Sequence, residues 1–289
     1  MRRSFRLLVL VVLVAAVVGA GWVLIRGDGA DPLGRTPLDA GAERIGSIPY
    51  GDDERQRYDV YLPDGDGPHP AIVWIHGGGW NAGDKAGGMP IWDWTDDGYV
   101  VVAINYRYAI PPVTVADSTA DAVAAVRHVL ADASTHGIDV ERVGVYGFSA
   151  GGHLAAMVAQ ADIGVAAVAT GGAPTDFGPL TDPERSVYAL RPSEEAAALI
   201  REVLGCSAQG CSTAIETLSP ARLPAGPAPM LVLHGEEDFV VAPTQAEALI
   251  ERLRADGVDV EWAILPDTAH TPPLDEDRLR AFFDRHLRP

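Results

Sequence analysis

Short apolar runs of strand length recur along this chain, separated by segments with helical periodicity. The runs fall at 71–75, 99–106, 143–147, 165–170, 230–233 and 258–265 and are rich in Val, Ile, Leu and Ala. Apolar runs this short, bounded by glycine and proline, predict strands buried on both faces. Arg57–Leu62 alternates polar with apolar residues and predicts a strand at the edge of the sheet. Between the runs, 117–136 carries Val123, Val126 and Leu130 on one helical face, and 153–160 is rich in Ala, Leu and Met. A helix over 243–253 has its start set by Pro243, and 274–287 is amphipathic through Leu279, Phe282 and Phe283. A shorter helical piece over 88–97 carries Trp92 and Trp94 as packing residues. Strands alternating with helices predict an α/β domain with a doubly wound, mostly parallel sheet. The alternation breaks over 171–227, which is rich in Pro, Ser and Ala with a helical piece at 193–204; it reads as a small cap insertion.

The N-terminus follows a different pattern. Arg2, Arg3 and Arg6 precede an uncharged run from 7 to 25, whose 19 residues can cross a bilayer as a helix. That is longer than the core of about 7–15 residues in a cleavable signal, although Val18-Gly19-Ala20 supplies small residues for cleavage. Residues 1–26 therefore read as a signal anchor or signal peptide, 27–44 as a flexible tether and 45–289 as the globular domain. The leading arginines predict an extracytoplasmic domain, membrane-anchored by a single N-terminal helix or secreted after cleavage. Cys206 and Cys211, the two cysteines, are too few to build a structural zinc site. In an exported domain they are expected to form a local disulfide. The net charge of −18 argues against a nucleic-acid partner. Nothing in the sequence sets an oligomeric state.

Chemistry concentrates where the strands end. The run at 143–147 leads into Gly147-Phe148-Ser149-Ala150-Gly151-Gly152 and then a helix, the context that gives G-x-S-x-G meaning. The strand at 71–75 runs into His76-Gly77-Gly78-Gly79-Trp80. Three successive glycines cost backbone entropy, so bare backbone is needed there. The amides of Gly78 and Gly79 read as donors to a developing alkoxide, with His76 orienting their loop. Trp80 could line the site or cover the core, and Phe177, Tyr188 and Leu190 could line a pocket or pack inside. Ser149, Asp238 and His270 each follow a strand, in the order Ser, Asp, His. A serine hydroxyl needs a base, an imidazole titrates in the right range, and a buried carboxylate fixes its tautomer. Glu236, Glu237 and Asp267 also lie near strand ends and compete with Asp238. Arg107 reads as an ion-pair partner, His153 as a helix-packing residue, and His128 and His136 as surface residues.

Taken together, the His-Gly-Gly-Gly-Trp loop, the Gly-Phe-Ser-Ala-Gly-Gly turn, His234-Gly235-x-x-Asp238 and the final His270 resemble the α/β-hydrolase superfamily. Within it the chain resembles the esterase/lipase group, feruloyl- or acetylxylan-esterase-like or hormone-sensitive-lipase-like. The resemblance implies Ser149 as nucleophile, His270 as base and acid, and Asp238 as orienting acid. It also implies an oxyanion hole of Gly78, Gly79 and Ala150, a small-molecule ester as substrate, and no metal or organic cofactor. Phe148 stands where the hormone-sensitive-lipase-like branch commonly has an acidic residue, which favours the other branch and makes Phe148 a candidate pocket residue. Short-acyl or aryl esters are expected. An amidase or peptidase, a lipase at a membrane surface, and a binding module are the rival readings.

Overall fold

The computed structural model describes residues 42–288 apart from 88, 183–186, 189–190, 193, 208 and 273. The expected leader, most of the tether and the pocket candidate Leu190 lie outside the described residues. Among the described residues no helix is long and apolar enough to cross a membrane.

The strands are β1 (Glu43–Pro49), β2 (Arg57–Leu62), β3 (His69–Ile75), β4 (Val100–Ile104), β5 (Ile138–Phe148), β6 (Ala167–Gly171), β7 (Val187–Tyr188), β8 (Arg191–Pro192), β9 (Met230–Gly235) and β10 (Val260–Leu265). The helices are α1 (Val115–Ala131), α2 (Ala150–Gln160), α3 (Phe177–Thr181), α4 (Glu194–Val203), α5 (Ser212–Leu218), α6 (Thr244–Ala255) and α7 (Glu276–Leu287). An eight-stranded sheet runs in the order β1-β2-β4-β3-β5-β6-β9-β10, and β7 pairs with β8 as a separate hairpin. β2 is antiparallel to both β1 and β4, and the remaining pairs are parallel. This is the α/β-hydrolase fold.

Successive side chains of a strand point to opposite faces, so each central strand feeds two cores. Val73, Ile75, Val102 and Val145 pack with Val126 of α1, Leu154 and Val158 of α2, and Leu249 and Leu253 of α6. Ile72, Trp74, Val101 and Tyr146 pack on the other face with Leu279, Phe282, Phe283 and Leu287 of α7, and with Trp94 of the 3-10 turn Trp92–Asp97. Burying each large side chain contributes about 1.5–3 kcal/mol. Gly144 makes room for α7, because a Cβ there would meet Phe283 Cε1 at 2.6 Å.

Three sequence expectations change. β2 is not the edge strand, because β1 lies outside it, paired from Glu43 to Pro49 across an irregularity between Ile45 and Ile48. β1 is mostly exposed and lacks the apolar alternation that would announce it. α1 buries Val115, Ser118, Asp121, Ala122, Ala125, Val126 and Val129, whereas Val123 and Leu130 are half-buried. The buried face includes a carboxylate because Arg107 donates to Asp121 from its backbone N, Nε and Nη2, and Gln56 adds a fourth bond. An apolar count misses a paired charge on the inner face. His136, expected at the surface, is buried and edge-on to Tyr58, and burial lowers its pKa.

The connection from β6 to β9 carries α3, the β7–β8 hairpin, α4, α5 and the 3-10 turn Pro220–Arg222. Its parts are pinned to the main body. Gly205 abuts Thr114, the residue that caps α1 through a capping box with Asp117. Gln160 at the end of α2 donates to Pro220 O at 2.7 Å, and Phe177 N donates to Ser219 Oγ at 2.9 Å. Cys206 and Cys211 are disulfide-bonded, with Cα atoms 5.1 Å apart, in the loop that leads into α5.

Candidate active site

The sharp turn from β5 into α2 is enforced by backbone contact. Ser149 has φ 56° and ψ −123°, a conformation that L-residues rarely hold. A Cβ on Gly147 would lie 2.0 Å from Gly151 O, and one on Gly151 would lie 2.0 Å from Ile75 O. Both positions must be glycine for β5, α2 and the end of β3 to approach. Ser149 N donates to Gly171 O at 2.7 Å, which ties the turn to the end of β6. The serine is left on top, half-buried, at the start of a helix whose first amides face the same way.

The glycine loop after β3 packs directly against this turn. A Cβ on Gly77 would lie 2.9 Å from Phe148 O and 3.2 Å from Ser149 Cβ. Gly78 and Gly79 have φ of 113° and 59°, and a Cβ on Gly78 would meet Ala82 O at 2.3 Å. The amides of Gly78, Gly79 and Ala150 make no hydrogen bond to another group among the described residues. His76 is buried beneath the loop. Its Nδ1 lies 2.7 Å from Gly77 O, and since a carbonyl only accepts, Nδ1 carries the proton. Its ring stacks on Tyr106 at 4.4 Å, and burial, opposed by the Gly77 bond and reinforced by the charge of Arg55, lowers its pKa to about 4.

The third component comes from β9 and β10. Asp238 is buried on the turn after β9, and its Oδ1 accepts from the amides of Val240 and Val241 at 2.9 and 2.8 Å. Its Oδ2 lies 2.6 Å from His270 Nδ1 and 3.3 Å from His234 Nε2. Burial alone would raise the Asp238 pKa, but the hydrogen bonds from His234, His270 and Val241 hold it well below the usual carboxylate range. An ionised carboxylate only accepts, so His270 Nδ1 carries the proton of this bond, which in the neutral ring leaves Nε2 as the acceptor. Gly235 lets the loop that carries His270 approach, because a Cβ there would lie 2.2 Å from Thr268 O. The His270 ring centroid is 4.8 Å from that of Phe148, and a Cβ on Gly172 would lie 3.1 Å from both Nδ1 and Cε1 of the ring. The imidazole thus rests on the residue before Ser149 and on the one after Gly171, to which Ser149 N is bonded.

The profile of the BD-FAE family matches residues 58–253, more than half of the chain. The chain belongs to this family of α/β-hydrolase esterases. Isoprenylcysteine alpha-carbonyl methylesterase ICME of Arabidopsis thaliana is 27% identical over 251 residues, covering 81% of this chain and 58% of its own length. The probable carboxylic ester hydrolase LipM of Mycobacterium tuberculosis is 30% identical over 245 residues, covering 78% and 55%. The chain therefore spans little more than half the length of these curated relatives. Among solved structures, esterase B from Lactobacillus rhamnosis superposes with a TM-score of 0.74 at 21% identity, covering 100% of this chain and 97% of that one. At that identity the likeness is one of fold.

For two aromatic residues of this BD-FAE chain the sequence left two places open, pocket wall or core. Phe177 has no exposed surface and Trp80 is nearly as buried, so both pack in the core under the turn. They pack on each other with centroids 5.6 Å apart, and both touch His153. Phe148 is buried against His270. Arg55, in the turn before β2, escaped sequence reading altogether. Its Nε donates to Tyr106 O at 2.9 Å and its Nη2 to Gly83 O at 3.2 Å, and its guanidinium lies 3.7 Å over the Tyr108 ring. It thus fastens the far side of the glycine loop to the end of β4. Lys85, the only lysine in the chain, is buried with Nζ 3.0 Å from Asp59 Oδ2, and its N donates to Asn105 Oδ1. A lone lysine amid arginines was the one available signal for this anchor; Arg55 offered none.

Proposed function

We propose that the protein hydrolyses carboxylic esters of small molecules through an acyl-enzyme on Ser149. The observation that carries this reading is the 2.6 Å hydrogen bond from His270 Nδ1 to Asp238 Oδ2, with the imidazole resting on Phe148 and Gly172 beside the serine. Family membership and the activities that name the relatives, methylesterase and carboxylic ester hydrolase, support the ester.

In the proposed reaction Ser149 Oγ adds to the ester carbonyl carbon as its proton passes to His270 Nε2. The carbonyl oxygen becomes an alkoxide and accepts hydrogen bonds from the amides of Gly78, Gly79 and Ala150. Removing one such donor costs about 2.7–4 kcal/mol of transition-state stabilisation. Asp238 stabilises the imidazolium without taking its proton. The tetrahedral species collapses, the bond to the alcohol oxygen breaks, and that oxygen leaves with the proton held on Nε2. Water then gives its proton to Nε2 and adds to the acyl carbon, and release of the acid returns the proton to Ser149. The packing of Phe148 on His270 supports a short acyl or aryl group. Export is part of the same proposal, supported by the apolar run at 7–25 and by the bonded cysteines, which suit an oxidising compartment.

The test uses p-nitrophenyl acetate, butyrate and octanoate with the matched p-nitroanilides. We expect turnover of the esters to fall with chain length, the anilides to react far more slowly, and Ser149→Ala to lose at least about 10³-fold in kcat. Wild-type ester turnover by Ser149→Ala would remove the reading, and faster anilide turnover would replace the esterase with an amidase.

A further inference from the structure

One buried histidine has no part in the ester chemistry. His153 lies in the first turn of α2, and its N donates to Ser149 O at 3.0 Å. Its side chain is wholly enclosed. Nε2 lies 2.8 Å from Leu218 O, so Nε2 carries the proton. Nδ1 is then an acceptor, and the indole Nε1–H of Trp80 donates to it at 3.2 Å. Both ring nitrogens are used, in a single tautomer, by two segments that are otherwise far apart in the chain.

Each segment bears on the site. Trp80 directly follows Gly79, and with φ of 60° it is the third successive residue after Gly77 with positive φ. A non-glycine residue holds that conformation only where its surroundings over-determine it. The indole sinks this end of the loop into the core, against His153 and Phe177. Its anchor therefore sets the direction of the two preceding peptide planes. Leu218 closes α5, and the next residue, Ser219, accepts from the amide of Phe177. The end of the insertion is thus keyed to the same imidazole.

We propose that His153 is a positioning residue that aims the Gly78 and Gly79 amides through Trp80 and locks the insertion to the site through Leu218. This rests on the reading of Ser149 as nucleophile and of those amides as oxyanion donors. The bridge contributes little to substrate binding and much to the alkoxide, because misaiming a donor by about 1 Å can cost 10²-fold in rate.

The test is His153→Phe, which keeps an aromatic ring between Trp80 and Phe177 and removes both polar atoms. Trp80→Phe breaks the same bridge from the other end and carries the comparison if His153→Phe does not fold. Active sites are counted by titration with a fluorophosphonate, and kcat and KM are measured per titrated site with p-nitrophenyl acetate. Inhibition by a short alkyl trifluoromethyl ketone, which Ser149 would convert to a hemiketal alkoxide, is measured alongside. We expect kcat per site to fall about 10- to 100-fold with KM changed less than about 3-fold. The ketone inhibition constant should rise by the same factor as kcat falls, and the double variant should be no worse than the poorer single one. A purely structural role would lower the titrated fraction and leave kcat per site and the inhibition constant alone, and that result overturns the proposal while ester hydrolysis stands. A wild-type protein that neither titrates nor hydrolyses would instead remove the reading on which the proposal rests.

Discussion

Two turns at the same edge of the sheet meet over the site, and they are held by different means. The turn around Ser149 is fixed by main-chain approach: Gly147 against Gly151, and Gly151 against Ile75 and His76. The turn around Asp238 is fixed by hydrogen bonds to its carboxylate from Val240 N, Val241 N and His270, and by one from His234 Nε2 to Val241 O. A backbone contact has no smaller version of itself, whereas a hydrogen bond can be removed with a graded loss. The first turn should therefore fail completely when altered, and the second should lose chemistry while the fold survives.

That contrast is broken or sharpened most directly by Gly151→Ala against Asp238→Asn. The added methyl at 151 would sit 2.0 Å from Ile75 O, with backbone on both sides. We expect it to destabilise the protein by more than about 3 kcal/mol, read as a large drop in denaturation midpoint together with loss of activity. Asp238→Asn keeps the shape, and we expect a folded protein with an unchanged titrated fraction and kcat lowered by about 10⁴-fold, as where a triad acid is made neutral. A folded, active Gly151→Ala would show that the serine turn is softer than its contacts imply. A near-normal Asp238→Asn would mean that tautomer control does not run through that carboxylate.

A smaller, graded effect comes from the two neutral histidines packed under the site. Burial lowers the pKa of His76 and of His153 from 6.5 to about 4. His76 faces Arg55 and Asp84, whose charges act in opposite senses, and the Leu218 carbonyl partly offsets burial at His153. Between those limits the unfolded chain binds more protons than the folded one, so stability rises with pH. Their contribution is complete above pH 6.5 and is lost as pH falls to about 4, by roughly 3 kcal/mol per histidine. Asp238, with its lowered pKa, adds its own loss only below the usual carboxylate range. Urea denaturation across this window should show the slope, to which His136 adds in the same direction, and His153→Phe should lower it. A flat profile would mean that water reaches these rings.

The same contrast governs what could be read from the sequence. Backbone approach leaves a mark that cannot be substituted, so Gly147, Gly151, Gly77, Gly78 and Gly235 announced their turns, and Ser149, Asp238 and His270 could be found by their distance from strand ends. The bonded Cys206 and Cys211 were expected, and the central strands appeared close to their observed bounds except β5, which starts at Ile138, five residues before the expected run. Side-chain networks leave no such mark. Arg55 reaches the glycine loop across a span that no local pattern encodes, and Asp121 sits on the inner face of α1 only because Arg107 and Gln56 meet it there. Trp80 and Phe177 were candidate pocket walls because aromatic residues near a site do either job. Their burial is decided by the insertion packing from above, and the composition of that segment gave little indication of its path. β1 was missed because an exposed edge strand needs no apolar alternation.

The central claim is that Ser149 is the nucleophile, and covalent trapping tests it most directly. The full chain is treated with a stoichiometric fluorophosphonate, residual p-nitrophenyl acetate hydrolysis is followed, and the adduct is located by peptide mass spectrometry. We predict one phosphonyl group per chain, carried on Ser149, with activity falling in proportion to its occupancy. An adduct on another residue, or full activity with Ser149 modified, would contradict the account.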